Sequence, residues 1–131
     1  MLHPNQFDVN ETWIAFQLND APIITDRDGD FNIIALMDAA SCFILGIGYI
    51  KTNALELSRQ EAKQLLKAGY DHKKQYPKEM IIPNHMVADA LALESRAIGI
   101  NIINEEEKML EIFLGEARES FREHLGQGRK Q

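Results

Sequence analysis

The residues best placed to do chemistry are Asp38 and Ser41, which stand three apart in the segment that joins two apolar runs. An acid and a hydroxyl at that spacing could form half of a nucleophilic site, but an attacking serine also needs a base within reach. The four histidines are His3, His72, His85 and His124, and none recurs at metal-ligand spacing. A Ser41–His85–Asp38 grouping requires the turn and a later helix start to share one edge of a sheet. The plainer reading is that Ser41 satisfies backbone groups of the turn. A second candidate is Asn84-His85, which follows the apolar Met80-Ile81-Ile82 and Pro83. Strand ends followed by helix starts are where open α/β sheets bind ligands, because free N–H groups point outward there. No glycine-rich loop accompanies this pair, and an asparagine cap beside a surface histidine accounts for it equally. Asp38, Ser41, Asn84 and His85 are therefore the candidate ligand-binding residues, and none is assigned a catalytic role.

Other groups read as structural. Asp26, Asp28 and Asp30 with Gly29 resemble the start of a calcium loop, but such a loop needs glycine sixth and glutamate twelfth. Counted from Asp26, Gly29 is fourth and Met37 twelfth, so a solvated hairpin tip is expected. Glu105, Glu106 and Glu107 complement a helix dipole. Glu94 with Arg96, and Glu116 with Arg118, read as solvated helix faces. The single cysteine, Cys42, excludes an internal disulfide and a cysteine metal set, and reads as a small buried hydrophobe.

The elements that must position these residues follow from hydrophobic period. Residues 1–11 are polar, contain Pro4 and read as a flexible terminus. Thr12 to Leu18 is rich in strand formers, and Pro22 to Thr25 can add a short strand before the turn at Asp28-Gly29. Phe31 to Met37 and Phe43 to Ile50 are apolar enough to lie in a covered sheet, with Asp38 at the bend between them. The first half is thus an antiparallel meander, and the period then changes. Ser58 with Glu61 is a capping box opening a helix that Gly69 is placed to close. Met80 to Ile82 is a buried strand, and Asn84 can cap a helix from His85 to Ile98 with Val87, Ala90, Leu91, Ala97 and Ile98 inward. Ile100 to Ile103 is a strand, and Asn104 with Glu107 a further capping pair. Leu110, Phe113, Leu114, Ala117, Phe121 and Leu125 form one apolar stripe on a last helix, stopped by Gly126. The pattern predicts one α/β domain over 12–125, with a polar tail over 126–131. It has a mixed sheet of about five strands and three helices, and a strand–helix–strand unit with parallel strands. A ferredoxin-like α+β sandwich is the alternative.

Composition narrows the function classes. The chain has 131 residues, 45% of them apolar and 26% charged, the balance of an ordinary globular domain. A formal charge of −6 with scattered basic residues argues against nucleic acid as a partner. No apolar run approaches the roughly 20 residues that span a bilayer, and no basic start precedes an apolar core at the N-terminus. A cytoplasmic protein without membrane contact is the expectation.

Several segments in order resemble a known family. Trp13-Ile14-Ala15-Phe16, Ala35-Leu36-Met37-Asp38-Ala39-Ala40-Ser41, Ile44-Leu45-Gly46, Pro77 to Asn84 and Gly99-Ile100 are similar to the ribonuclease H-like core of retroviral-type integrases and transposases. The similarity spans about residues 12–125, and the second half is also similar to small bacterial domains of unknown function. The resemblance implies a ribonuclease H-like fold in which three carboxylates hold two divalent metals for phosphodiester displacement. The position implied for the first acid holds Phe16 or Gln17, and that for the second holds Pro83 or Asn84. Only the third, on a later helix, has candidates in Glu111, Glu116 or Glu119. Asp38 matches an aspartate that shapes the strand-to-strand bend in the family and is not a metal ligand. The resemblance thus implies a scaffold without its metal-binding carboxylates, with no cofactor or metal. The expectation is a non-catalytic binding or protein-interaction module, with a protein partner or a second copy of the chain. The alternative is a divalent-metal-dependent phosphodiesterase or nuclease whose acids are redrawn from Asp20, Asp38 and Glu111 or Glu116. A third class, a small-ligand-binding domain, would show a closed apolar pocket near Asn84.

Overall fold

The computed structural model describes residues 1–27 and 29–129, with side chains through His124. Its strands are β1 (Thr12–Gln17), β2 (Phe31–Asp38), β3 (Ile44–Lys51), β4 (Glu79–Pro83) and β5 (Asn101–Glu105). Its helices are α1 (Arg59–Lys73), α2 (Asp89–Ala97) and α3 (Glu111–Arg129), with short 3₁₀ turns at Pro4–Gln6 and Glu107–Leu110. The sheet order is β3-β2-β1-β4-β5. β1, β2 and β3 pair antiparallel, while β1 with β4 and β4 with β5 pair parallel.

Strand alternation divides the core in two. Trp13, Ala15, Leu36, Leu45 and Met80 face Leu65 and Leu66 of α1 and Leu91 of α2. Ile14, Phe16, Ala35, Met37 and Ile81 face the other way, onto Leu110, Phe113 and Leu114. Helices on both faces rule out the two-layer ferredoxin-like alternative, which leaves one face of its sheet open.

Local chemistry explains most boundaries. The Ser58 hydroxyl accepts from Glu61 N–H at 3.1 Å while Glu61 accepts from Ser58 N–H at 2.9 Å, so the capping box opens α1 as expected. Gly69 does not close that helix. It continues to a left-handed Lys74, and Gly69 is there because a Cβ at that point would stand 2.7 Å from the Trp13 ring. Gly46 admits α1 in the same way, its absent Cβ lying 2.8 Å from Ala68 Cβ.

The second helix starts at Asp89, not His85. Asn84 caps nothing; its N–H continues the ladder to the Glu105 carbonyl at 2.9 Å, and Met86 N–H closes a turn onto Pro83. The cap of α2 comes from afar, as Glu56 Oε1 accepts from Ala90 N–H at 2.6 Å. The inward residues are Leu91, Glu94 and Ser95, whereas Val87 and Ile98 are exposed. Glu94 is no solvated face: it is buried against Arg59 at 2.8 Å and Lys63 at 4.0 Å.

Other expectations change as well. Asn104 lies within β5 and its amide donates to the Ile82 carbonyl, so it caps no helix. Of the Pro22–Thr25 segment only Ile23 bridges, to Phe31, and Asp28 lies outside the described residues. Within residues 1–11, Leu2 and Phe7 pack part-buried on the α3-side core, and Leu2 N–H donates to the Met109 carbonyl at 2.9 Å. The α3 backbone runs past Gly126, and the Leu125 side chain lies outside the described set. Among the described residues no helix is long and apolar enough to cross a membrane.

Candidate functional site

The four candidate residues separate into two pairs at opposite ends of the sheet. Asp38 pairs across from Trp13 at the start of β1, and Gln17 at its end pairs with Ile34. Four residues of strand separate those levels, about 13 Å. Asn84 and His85 follow the end of β4, which runs parallel to β1, so they lie at the Gln17 end. The Ser41–His85–Asp38 grouping therefore does not form.

At the first end, Asp38 is fully buried and its carboxylate accepts three hydrogen bonds. Oδ1 accepts from Asn10 N–H at 2.8 Å. Oδ2 accepts from Ser41 N–H at 3.1 Å and from the Ser41 hydroxyl at 2.7 Å. Cys42, left-handed at φ 60°, closes the turn onto the Asp38 carbonyl at 2.8 Å. Asn10, which the sequence reading did not single out, also takes the Trp13 indole N–H at 2.7 Å. A carboxylate accepting three hydrogen bonds organises a turn and has little left to offer a ligand. Cys42 is half-buried, and its thiol is pushed up by burial, then by Glu116 and Asp38.

The second end holds the positions implied for the metal-binding acids. The β1–β4 register pairs Ile14 with Ile81, which sets Pro83 level with Phe16. These positions do come together: Phe16 and Pro83 offer a divalent cation no side-chain oxygen, and the neighbouring Gln17 and Asn84 offer only neutral amides. Phe16 is buried in the α3-side core and Pro83 is buried beside it. The residue that α3 brings here is a cation. Arg118 donates from Nε and Nη2 to the Gln17 carbonyl at 3.0 and 2.9 Å. Its Nη1 pairs with Glu107 at 2.5 Å, and Glu107 also meets His85 Nε2 at 3.3 Å. One turn further along α3, Arg122 pairs with Asp20. Far from a solvated face, Arg118 locks α3 to the exit of β1.

A metal set does not fit these residues. Asp20 lies beyond the end of β1 and bonds Arg122, Asp38 is consumed at the opposite end, and Glu116 lines a groove beside the Asp38 turn. Asp20, Asp38 and Glu116 do not converge as a rearranged site requires. Among the described residues no group of three or more His, Cys, Asp or Glu is placed to hold a metal ion. The space that flanks Asn84, with Pro83, His85, Met86, Glu107 and Arg118 in its wall, measures about 210 Å³ and is lined by charged and polar groups as well as apolar ones, so it is not the closed apolar pocket that a small-ligand domain would show.

Comparison with known proteins agrees with this architecture. No protein-family model matches the sequence, and no curated protein matches it. Among solved structures, a chain of the simian T-cell lymphotropic virus intasome in complex with PP2A regulatory subunit B56 gamma superposes with a TM-score of 0.51 at 12% identity. That match covers 73% of this chain and 32% of the viral one, so the chain spans about a third of that neighbour. The catalytic core of BIV integrase gives 0.49 at 10% identity, covering 90% of this chain and 73% of that one. The HTLV-2 integrase catalytic core in complex with magnesium gives 0.48 at 9%, covering 76% and 63%. At such identities the likeness is one of fold. The chain has the ribonuclease H-like fold of retroviral integrase cores.

Proposed function

We propose that this chain is a non-catalytic protein-binding module on a ribonuclease H-like scaffold, working in the cytoplasm with a protein partner or a second copy of itself. One observation carries the reading: where the scaffold's metal chemistry would gather acids, α3 delivers the Arg118 guanidinium, tied to the Gln17 carbonyl and Glu107. A fixed cation repels a divalent metal, and a lone carboxylate already paired with it cannot hold two ions. The acidic chain, at −6, gives no attraction to a phosphodiester backbone. The Asp38 carboxylate and the Ser41 hydroxyl are bonded to each other within their turn, which supports placing a binding role on surfaces instead.

Calorimetric titration with manganese and with magnesium to millimolar concentration tests this directly. The expected result is no saturable heat, with no cleavage of a supercoiled plasmid or a nitrophenyl phosphodiester. Saturable uptake of two ions together with metal-dependent cleavage overturns the reading.

A further inference from the structure

The two faces of the sheet are unequally covered. Strands lie about 4.8 Å apart, so five of them span about 19 Å, room for two helices of about 10 Å side by side. Leu65 and Leu66 of α1 and Leu91 of α2 occupy one face as such a pair. The other face has one long helix, α3, packed through Phe113 and Leu114 over Ile14, Phe16 and Ile81, with Leu110 and the N-terminal Leu2 and Phe7 beside it. The β3 residues on that face are known from their partners: Ile44 pairs with Met37, Ile47 with Ala35 and Tyr49 with Ile33. Ile47 is 44% exposed, and Tyr49, edge-to-face with Phe31 at 5.3 Å, is 53% exposed.

Between α3 and the Asp38 turn lies an open groove of about 820 Å³ with Met37, Ile44, Ala117 and Phe121 in its wall. Its lining on α3 runs from Phe113 to His124. At 1.5 Å per residue that is about 16 Å, three helical turns. Charge marks what would fit. The helix turns Arg118 and Arg122 away, into Gln17, Glu107 and Asp20, and presents Glu116 and Glu123 to the groove. Among the described residues neither glutamate has an ion-pair partner, and His124 is the one basic-type side chain in the lining.

We propose that this groove, continuing onto Ile47 and Tyr49, docks a basic amphipathic helix of about three turns from a different protein. Its apolar stripe lies beside α3 as the missing second helix of that face, and its lysines or arginines meet Glu116 and Glu123. Such a mode needs anchors at spacings of three and four and a rim of opposite charge. The inference rests on the protein-binding reading and assigns it a surface.

The probe is a fluorescein-labelled, 18-residue Leu/Lys peptide with apolar residues at i, i+3, i+4 and i+7, followed by anisotropy and by amide shifts of ¹⁵N-labelled protein. The expected result is saturable binding, with shifts confined to residues 37–49 and 113–124. Glu116→Lys with Glu123→Lys weakens it tenfold or more. Asp71→Lys with Glu106→Lys, the same charge change elsewhere, leaves it within twofold, and circular dichroism shows all variants folded. Equal weakening by both pairs, shifts on another surface, or no binding overturns the proposal. So does sedimentation showing a dimer that Ile47→Asp dissociates, which makes the occupant a second copy. So does uptake of a dansyl fatty acid in place of the peptide. Failure here leaves the metal titration unchanged, whereas metal-dependent cleavage defeats the wider reading whatever the peptide does.

Discussion

Replacing Arg118 tests the claim on which the functional reading depends. Its side chain is 21% exposed, and it makes two hydrogen bonds to one carbonyl and one ion pair with Glu107. Hydrogen bonds to a charged donor are worth about 1.5–3 kcal/mol, and two sharing one acceptor count little more than once. Glu107 is about a third exposed, so solvent screening holds its share to about 1 kcal/mol. Arg118→Met keeps the aliphatic stem and strands the Gln17 carbonyl, for a loss of about 3 kcal/mol. With about 2.1 cal/mol/K of unfolding entropy per residue, that lowers Tm by roughly 10 °C. Arg118→Lys, which can reach one partner at a time, loses about half as much. Urea unfolding of Arg118→Met, Glu107→Gln and the double variant should give a coupling of about 1 kcal/mol. Manganese should still find no site in Arg118→Met, because only Glu107 remains there. A loss below about 0.5 kcal/mol, or manganese uptake by the variant, would refute the idea that this cation stands in for the acids.

Three further outcomes are expected. Gly115, with open space around its absent Cβ, should gain about 1 kcal/mol as Ala, whereas Gly69→Ala should lose about 1–2 kcal/mol because its Cβ meets Trp13 at 2.7 Å; thermal melts of the two compare the sign directly. Asp38→Asn turns an amide toward the Ser41 N–H, a donor facing a donor, and should cost about 2–3 kcal/mol in urea. Burial, Glu116 and Asp38 all hold the Cys42 thiol protonated, so alkylation by iodoacetamide at pH 8 should run slower than for free cysteine, and Glu116→Gln should speed it.

What the residues alone determined here are features whose causes lie close in the chain. Two-residue alternation marks the strands, the Ser58–Glu61 box opens α1, and the stripe from Phe113 to Phe121 defines the inner face of α3. The missing acids at Phe16 and Pro83 were also legible, since an absent carboxylate needs no coordinates to be seen. Tertiary structure decided everything whose partner is distant. Arg118 meets Gln17 across 101 positions, Glu94 meets Arg59 across 35, and Glu56 caps α2 across 34. Each looks like an ordinary surface charge until folding removes part of the water that would otherwise solvate it. Gly69 shows the same division: as a type it reads as a helix stop, but inside α1 its lack of a side chain is what Trp13 requires. Short-range hydrogen bonds and hydrophobic period are written along the chain, whereas the partial desolvation that turns a charge into an anchor exists only once distant segments pack together.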